Sequence, residues 1–447
     1  MNTVRLPGGI HFAWAIVVIL ALVQIIGNSI GMAVGVVVIP LSDPEGDFGW
    51  SMVTIGAALM MYYLVGAMIA PMTGWLGDQY GARKMLLLGS LLFGGSMIFV
   101  GTISQPWQFF LTFGFLLALT QSICIVPMMA TVSGWFRRRL GVGVGILWAA
   151  GGVGTAVLAP LMGYLIANIG WQATFWVFGA AGGAILLLLT LVLRNRPADV
   201  GLKPYGTSPS DPPEAVMSKA LEKLRIKAFN QHMRRTRAFW NLPIIHGLGC
   251  AGHGIVLIYA TYIAYDRGVS YVAALLILSI ISICSIASRF VTPVLAERFG
   301  GKPVMATALF LQGITVLVLF WAQDIWMFYL FAMVFGVGFG GEMSAYLVVN
   351  RQYFGSGPIA TCYGFQTMGA LTGHATATGL AGLVLYVTNS YSAILALSML
   401  FSFGGVLVIM TLESTSRVLI PDWEKSLPAE ARSAGAVPNV LVPHFDE

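Results

Sequence analysis

Arg289 interrupts the apolar run 271–296, and Glu342 interrupts the apolar run 325–349. A guanidinium presents two parallel donors to a carboxylate, so an arginine held in such a run suits the head group of a small organic acid. An arginine at mid-bilayer costs about 2.5–3.5 kcal/mol on insertion scales, and its presence implies an interior position or an anionic partner. Two readings of Arg289 stand open: it binds an anionic substrate, or it pairs permanently with Glu342 as a structural bond. Glu342 likewise either exchanges a proton or serves as interhelical glue. His246 and His253 lie seven residues apart, on one face of a helix, and the run 358–387 adds His374. With no third ligand near the first pair in sequence, no metal site is expected, and the three histidines join Glu342 as proton-coupling candidates.

These residues need a scaffold that lives in lipid. The chain has 447 residues, of which 57% are hydrophobic and 9% charged, and its mean hydropathy is +0.82, too apolar for a water-soluble domain. Helical runs long enough for a hydrocarbon core of about 30 Å fall near 10–39, 50–76, 85–103, 107–132, 140–168 and 172–193, then near 241–264, 271–296, 303–322, 325–349, 358–387 and 391–412. All but two of the 24 Lys and Arg residues sit at the chain ends or in alternate gaps, which places those gaps and both termini on the cytoplasmic side. The exceptions are Arg267 and Arg289. Asp43, Glu45 and Asp47 in the first exterior loop agree with that orientation.

The net charge of +6 is accounted for by topology and by anionic headgroups, so no nucleic-acid partner is expected. The chain opens with Arg5 and a long apolar helix lacking a small-residue cleavage site, and a cleaved signal peptide is not expected. Cys124, Cys250, Cys284 and Cys362 all lie in apolar runs without a CxxC pair and read as small buried side chains. The glycine-rich stretches 141–154 and 336–341 lack the Lys-Ser/Thr ending of a phosphate loop and suit close helix packing. No nucleotide domain, cofactor motif, nucleophile triad or metal cluster supports an enzyme reading; energy must come from gradients.

The polar interval 194–240 divides the chain into a bundle over 1–200, a linker over 201–240, a second bundle over 241–412 and a tail over 413–447. Within the linker, Val216, Leu221, Leu224 and Phe229 recur between basic residues, the pattern of either a surface amphipathic helix or a solvated, partly helical linker. The two halves repeat. An offset of 219 residues superposes Gly49 and Ser51 on Gly268 and Ser270, and Asp78, Gly81 and Arg83 on Glu297, Gly300 and Lys302. Related six-helix halves are what two bundles need to rock about a central site.

The stretch Gly74-Trp75-Leu76-Gly77-Asp78-Gln79-Tyr80-Gly81-Ala82-Arg83-Lys84 resembles the loop motif of the major facilitator superfamily, and Ala296-Glu297-Arg298-Phe299-Gly300-Gly301-Lys302 is its degenerate copy. Phe48-Gly49-Trp50-Ser51, Gly134-Trp135-Phe136-Arg137-Arg138-Arg139, Gly170-Trp171-Gln172 and Arg196-Pro197-Ala198-Asp199 resemble the monocarboxylate transporter and oxalate/formate antiporter branch. The resemblance implies an all-α polytopic fold of twelve transmembrane helices in two pseudo-symmetric six-helix bundles. It implies gating residues at Asp78, Arg83, Glu297, Arg298 and Arg137, with Asp78 meeting basic side chains or helix N-terminal amides of a neighbour. Ala287-Ser288-Arg289-Phe290 resembles the surroundings of the branch's substrate-coordinating arginine. Proton-coupled members often carry an Asp one turn before that arginine; Ser285 stands there, which shifts attention to Glu342. Oxalate-transporting relatives use a second basic residue in the run matching 358–387, where this chain has only His374, so a doubly charged substrate is disfavoured.

Further polar residues in the runs, Asn28, Gln121, Tyr259 and Gln366, are candidates to line the cavity or to tie helices together. The expectation is a monomeric secondary transporter of a small organic monocarboxylate in a bacterial inner membrane, coupled to protons. Anion exchange, efflux of amphipathic compounds and a transport-derived sensor are the alternatives.

Overall fold

The computed structural model describes residues 10–30, 40–42, 48–208 and 217–432. Eleven helices among them are long and apolar enough to cross a membrane: α2 (Met52–Tyr80), α3 (Ala82–Val100), α4 (Pro106–Trp135), α5 (Leu140–Ile169), α6 (Trp171–Val192), α8 (Arg237–Asp266), α9 (Tyr271–Phe299), α10 (Gly301–Trp321), α11 (Ile325–Phe354), α12 (Ala360–Thr388) and α13 (Tyr391–Met410). A shorter apolar helix, α1 (Phe12–Gly27), occupies the first run. Much of the remainder of 10–39, with Asp43, Glu45 and Asp47, lies outside the described residues. Between the halves stands α7 (Lys219–Met233). The described chain contains no strand.

Local chemistry sets the helix starts. The Ser51 hydroxyl accepts from the Thr54 amide at the head of α2, and Thr236 accepts from the Phe239 amide at the head of α8, each satisfying a donor with no intrahelical partner. Between α2 and α3 the chain reverses at Gly81, with φ of 80°, and between α9 and α10 at Gly300, with φ of 92°. Both values lie in the left-handed region that only glycine adopts without strain. Large apolar side chains such as Met68, Leu188, Ile283 and Leu407 face outward, as a lipid-facing surface requires.

Two helix pairs join the halves: α2 packs along α12, and α5 packs along α9. The crossings are close enough to restrict side-chain size. A Cβ on Gly145 would stand 2.5 Å from the Phe290 carbonyl oxygen, and one on Gly364 would stand 2.4 Å from that of Ala70. Glycine here allows backbone to meet backbone, which suits helices that must associate without a hydrophobic driving force.

α7 is a full helix, and part of it is buried, which neither the surface amphipathic helix nor the solvated linker describes. Its buried residues include Ile226, Phe229 and Met233, and Phe229 packs edge-on against Trp423 with ring centroids 5.0 Å apart. Arg225 lies over the same Trp423 ring and bonds Glu424 at 2.6 Å. Of the apolar stripe, Phe229 is covered by the segment after α13, where Trp423 packs on it, Leu221 is half-buried and Leu224 stays exposed. Val216 lies outside the described residues.

Candidate functional site

On the face that carries Arg83, Arg137 and Lys302, two carboxylates bridge the halves. Asp78, in the last turn of α2, accepts from the Ala360 amide at 3.0 Å, the Thr361 amide at 2.8 Å and the Thr361 hydroxyl at 2.6 Å. Glu297, in the last turn of α9, accepts from the Leu140 amide at 3.2 Å and the Gly141 amide at 2.6 Å. Each carboxylate thus caps the N-terminus of a helix in the opposite half, α12 in one case and α5 in the other. Orphan amides and the positive end of the helix dipole make this a charge-assisted contact.

The basic residues beyond the glycine turns act within their own halves. Arg83 donates through Nη2 to the Leu191 carbonyl at 2.8 Å and through Nε to that of Thr190 at 3.3 Å, while its amide donates to Asn195. Lys302 donates to the carbonyls of Met410 and Leu412. Both cations therefore sit at the carbonyl end of the last helix of a half, α6 or α13, where the dipole favours positive charge. Arg298 stacks on Phe299 at 5.2 Å and borders a groove with Trp14, Arg139 and Glu297. The Arg137 amide donates to Tyr205, tying the end of α4 to the segment after α6.

Deeper in the second half, the charged residues gather. Arg267, one of the two arginines away from the basic face, donates to the carbonyls of Leu319 and Ala322 at 2.7 Å each and so caps α10. Arg289 has no such anchor. Its Nη2 meets the Met343 sulfur at 3.9 Å, its guanidinium lies 5.1 Å from the Phe339 ring centroid, and its Nε is buried without a hydrogen-bond partner. Among the described residues it forms no ion pair. It interacts electrostatically with Glu342 and His253 at longer range.

Glu342 is fully buried. Its Oε1 accepts from the Tyr346 hydroxyl at 2.9 Å, one turn along α11, and its Oε2 has no hydrogen-bond partner among the described residues and stands 3.7 Å from Nδ1 of His253. Gly249 on α8 makes room, since a Cβ there would meet Oε1 at 2.4 Å. His253 packs on Phe339 at 4.5 Å and meets His374 edge-on at 5.2 Å. His374 in turn stacks on Tyr63 of α2, the point where this cluster touches the first half. His246 stacks on Tyr346 at 4.0 Å.

Arg289, Glu342, His253, His374 and His246 are therefore brought into one neighbourhood by α8, α9, α11 and α12. The remaining candidates are placed apart. Asn28 donates to the Gly151 carbonyl at 2.6 Å and ties α1 to α5. Gln366 exchanges bonds of 3.0 and 2.6 Å with Asn350, a buried amide pair between α12 and α11. Gln121 leaves its Oε1 buried without a hydrogen-bond partner among the described residues, and Tyr259 sits half-buried near Gly382. The sequence alone did not single out Tyr346 or Asn350, and it marked Cys250 only as a small buried side chain. Their only local signals were spacings: Tyr346 follows Glu342 by one turn, and Cys250 lies between His246 and His253 on one helix face.

Comparison with known proteins agrees with this architecture. A family model described as Major Facilitator Superfamily matches residues 21–293 and again 244–442. The chain is 23% identical to monocarboxylate transporter 12 of Rattus norvegicus over 355 residues, 74% of this chain and 72% of the relative. It is 23% identical to monocarboxylate transporter 2 of Homo sapiens over 348 residues, 76% and 72% of the two chains. Monocarboxylate transporter 11 of Homo sapiens matches at 26% over 229 residues, 51% of this chain and 45% of the relative.

Proposed function

Since the chain belongs to the major facilitator superfamily and is a multi-pass membrane transporter, we propose that its cargo is a small organic monocarboxylate, carried with a proton by alternating access between residues 1–200 and 241–412. The observation that carries this reading is Arg289: a half-buried guanidinium in a membrane helix, without an ion-pair partner among the described residues, within electrostatic range of the Glu342 carboxylate. One fixed cation matches one carboxylate. The anion's two oxygens take the guanidinium donors, and Phe339 and Met343 flank the site with apolar and polarisable surface. The names of the relatives favour the same substrate class.

Coupling falls to Glu342. With Oε1 held by Tyr346 and Oε2 facing His253, the carboxyl is positioned to pass a proton while its shape stays fixed. In the rocking cycle, the basic face is cytoplasmic, both described termini lie on it, and the Asp78 and Glu297 caps hold it closed while the opposite side admits substrate. Opening inward requires both caps to release. The functional unit is one chain, since each cap and the whole charged cluster are built within it.

Uptake of a panel of labelled organic acids into proteoliposomes, with and without an inward proton gradient, tests the proposal. The expected result is saturable uptake of a monocarboxylate that the gradient stimulates, and absence of acid transport by folded protein overturns it. Ser285, standing where proton-coupled members often have Asp, favours a second reading as an electroneutral anion exchanger. Exchange against internal acid that ignores the gradient would select that reading.

A further inference from the structure

We propose that Cys250, His253 and His374, with Glu342 as a fourth donor, form a binding site for a divalent d-block ion of the zinc type inside the second bundle. The ligating atoms of the first three all lie within 4.8 Å of one another. Tetrahedral zinc with sulfur and imidazole ligands sets its donors about 3.3–3.6 Å apart, so the three close on an ion with side-chain shifts of about 1 Å. Glu342 Oε2 lies 3.7 Å from His253 Nδ1, within reach of the same centre.

The independent observation is the state of His253. It is completely buried and faces the side chains of Gln312 and Glu342, yet among the described residues neither ring nitrogen is within hydrogen-bond geometry of a partner, and Glu342 Oε2 has none either. Buried polar atoms are nearly always paired, because leaving one unpaired costs about 1–3 kcal/mol. Binding a metal ion satisfies such atoms at one stroke. The donor set selects the ion: a thiolate and two imidazoles suit zinc and disfavour magnesium and calcium. The thiol of Cys250 gives up its proton to the medium as its sulfur binds, and with the Glu342 carboxylate it offsets the two charges of Zn(II). Entry is from His374, which is half-buried and faces Tyr63 across the boundary between the halves.

The helical geometry explains why sequence spacing alone hid the site. Cys250 and His253 are three residues apart on α8, a common chelating pair, but the third ligand comes from α12, more than a hundred residues later.

Cobalt(II) alone is the probe, titrated into tag-free, chelator-dialysed protein in detergent and followed by metal content per chain and by optical absorption. One cobalt per chain with a thiolate-to-metal charge-transfer band is expected. In Cys250→Ser the band should vanish, and His374→Gln should weaken binding about tenfold or more. Cys250→Ala serves as a second variant should the serine fail to give monodisperse protein. Absence of bound cobalt in the parent, or a band that persists in both cysteine variants, overturns the site. Since the readout is metal bound per chain, its failure leaves the transport reading untouched, and failure of acid uptake leaves this site standing.

Discussion

The two halves of this transporter agree at the basic face and differ in the middle of the bundle. At the face, Asp78 caps α12 and Glu297 caps α5, Arg83 anchors α6 and Lys302 anchors α13, and Gly81 and Gly300 make the same turn. In the middle, the offset that relates those residues carries Arg289 to Ala70, Glu342 to Ile123, His246 to Gly27 and His374 to Thr155. The first half supplies Tyr63, and the second supplies every charge. A closing mechanism profits from symmetry, because both helix pairs must part together. A binding site for an asymmetric anion does not, and ionisable groups in lipid are too costly to duplicate without use.

The comparison is most exposed at Arg289. Replacing it by Ala should cost about 2–5 kcal/mol of anion affinity, which abolishes measurable binding of a weak substrate. Arg289→Lys should keep the charge, lose the two-pronged geometry and recover only part of the affinity. Calorimetric titration of monodisperse variants reads both. Unchanged affinity in Arg289→Ala would remove the chemistry from the second half and give the residue a gating or packing role.

Glu342→Gln comes next. The Tyr346 bond to Oε1 survives and the volume is kept beside Gly249, while titration and the anionic donor of the metal site proposed above are lost. Exchange of labelled substrate across proteoliposomes should persist while accumulation driven by a pH gradient disappears. Full gradient-driven accumulation by the variant would move coupling to the histidines or to the substrate's own proton.

The division between halves also separates what the residues disclosed from what they did not. Apolar runs and the sign of the gaps disclosed the spans, since both effects are local and additive along the chain. Their ends were legible only to within a few residues: the run near 50–76 continues to Tyr80, so Asp78, expected at a helix end, lies in the last turn of α2. Hydropathy falls before the helix does, because polar residues at a membrane boundary remain helical. The repeat disclosed the matched carboxylates and glycines but not that their amide partners would correspond to within one residue, at 360 and 361 and at 140 and 141, each the first two amides of a helix. Contacts such as Gln366 with Asn350, or Phe229 with Trp423, join segments whose local patterns carry no trace of each other. The ambiguity at Arg289 was of the same kind. Whether it pairs with Glu342 depends on the azimuth of two helices, which periodicity alone leaves undetermined.

The two caps offer a smaller and sharper test. Asp78→Asn and Glu297→Gln each remove the charge that two backbone amides face, and each should cost the closed basic face about 1–2 kcal/mol, or about 5- to 30-fold in the ratio of closed to open forms. Distance distributions between spin labels across that face would show it. Asp78 should have the larger effect, since it accepts three bonds and Glu297 two. Should only Asp78→Asn shift the distribution, the latch would be asymmetric and the repeat at Glu297 merely inherited.

The smallest effect belongs to the cations beyond the turns. Arg83 and Lys302 do not bridge the halves; each meets the carbonyl end of a helix in its own bundle. Removing either charge should leave the open-to-closed ratio near its parent value and lower the stability of one bundle by about 0.3–1 kcal/mol. A thermal midpoint lower by about 1–3 °C, with spin-label distances unchanged, is the expected signature for Arg83→Ala and for Lys302→Ala. A shift in the distances would mean that anchoring the last helix of a half also sets the angle at which its second helix presents the capping carboxylate. The turn glycine would then transmit strain from one to the other, and anchor and latch would form a single device in each half.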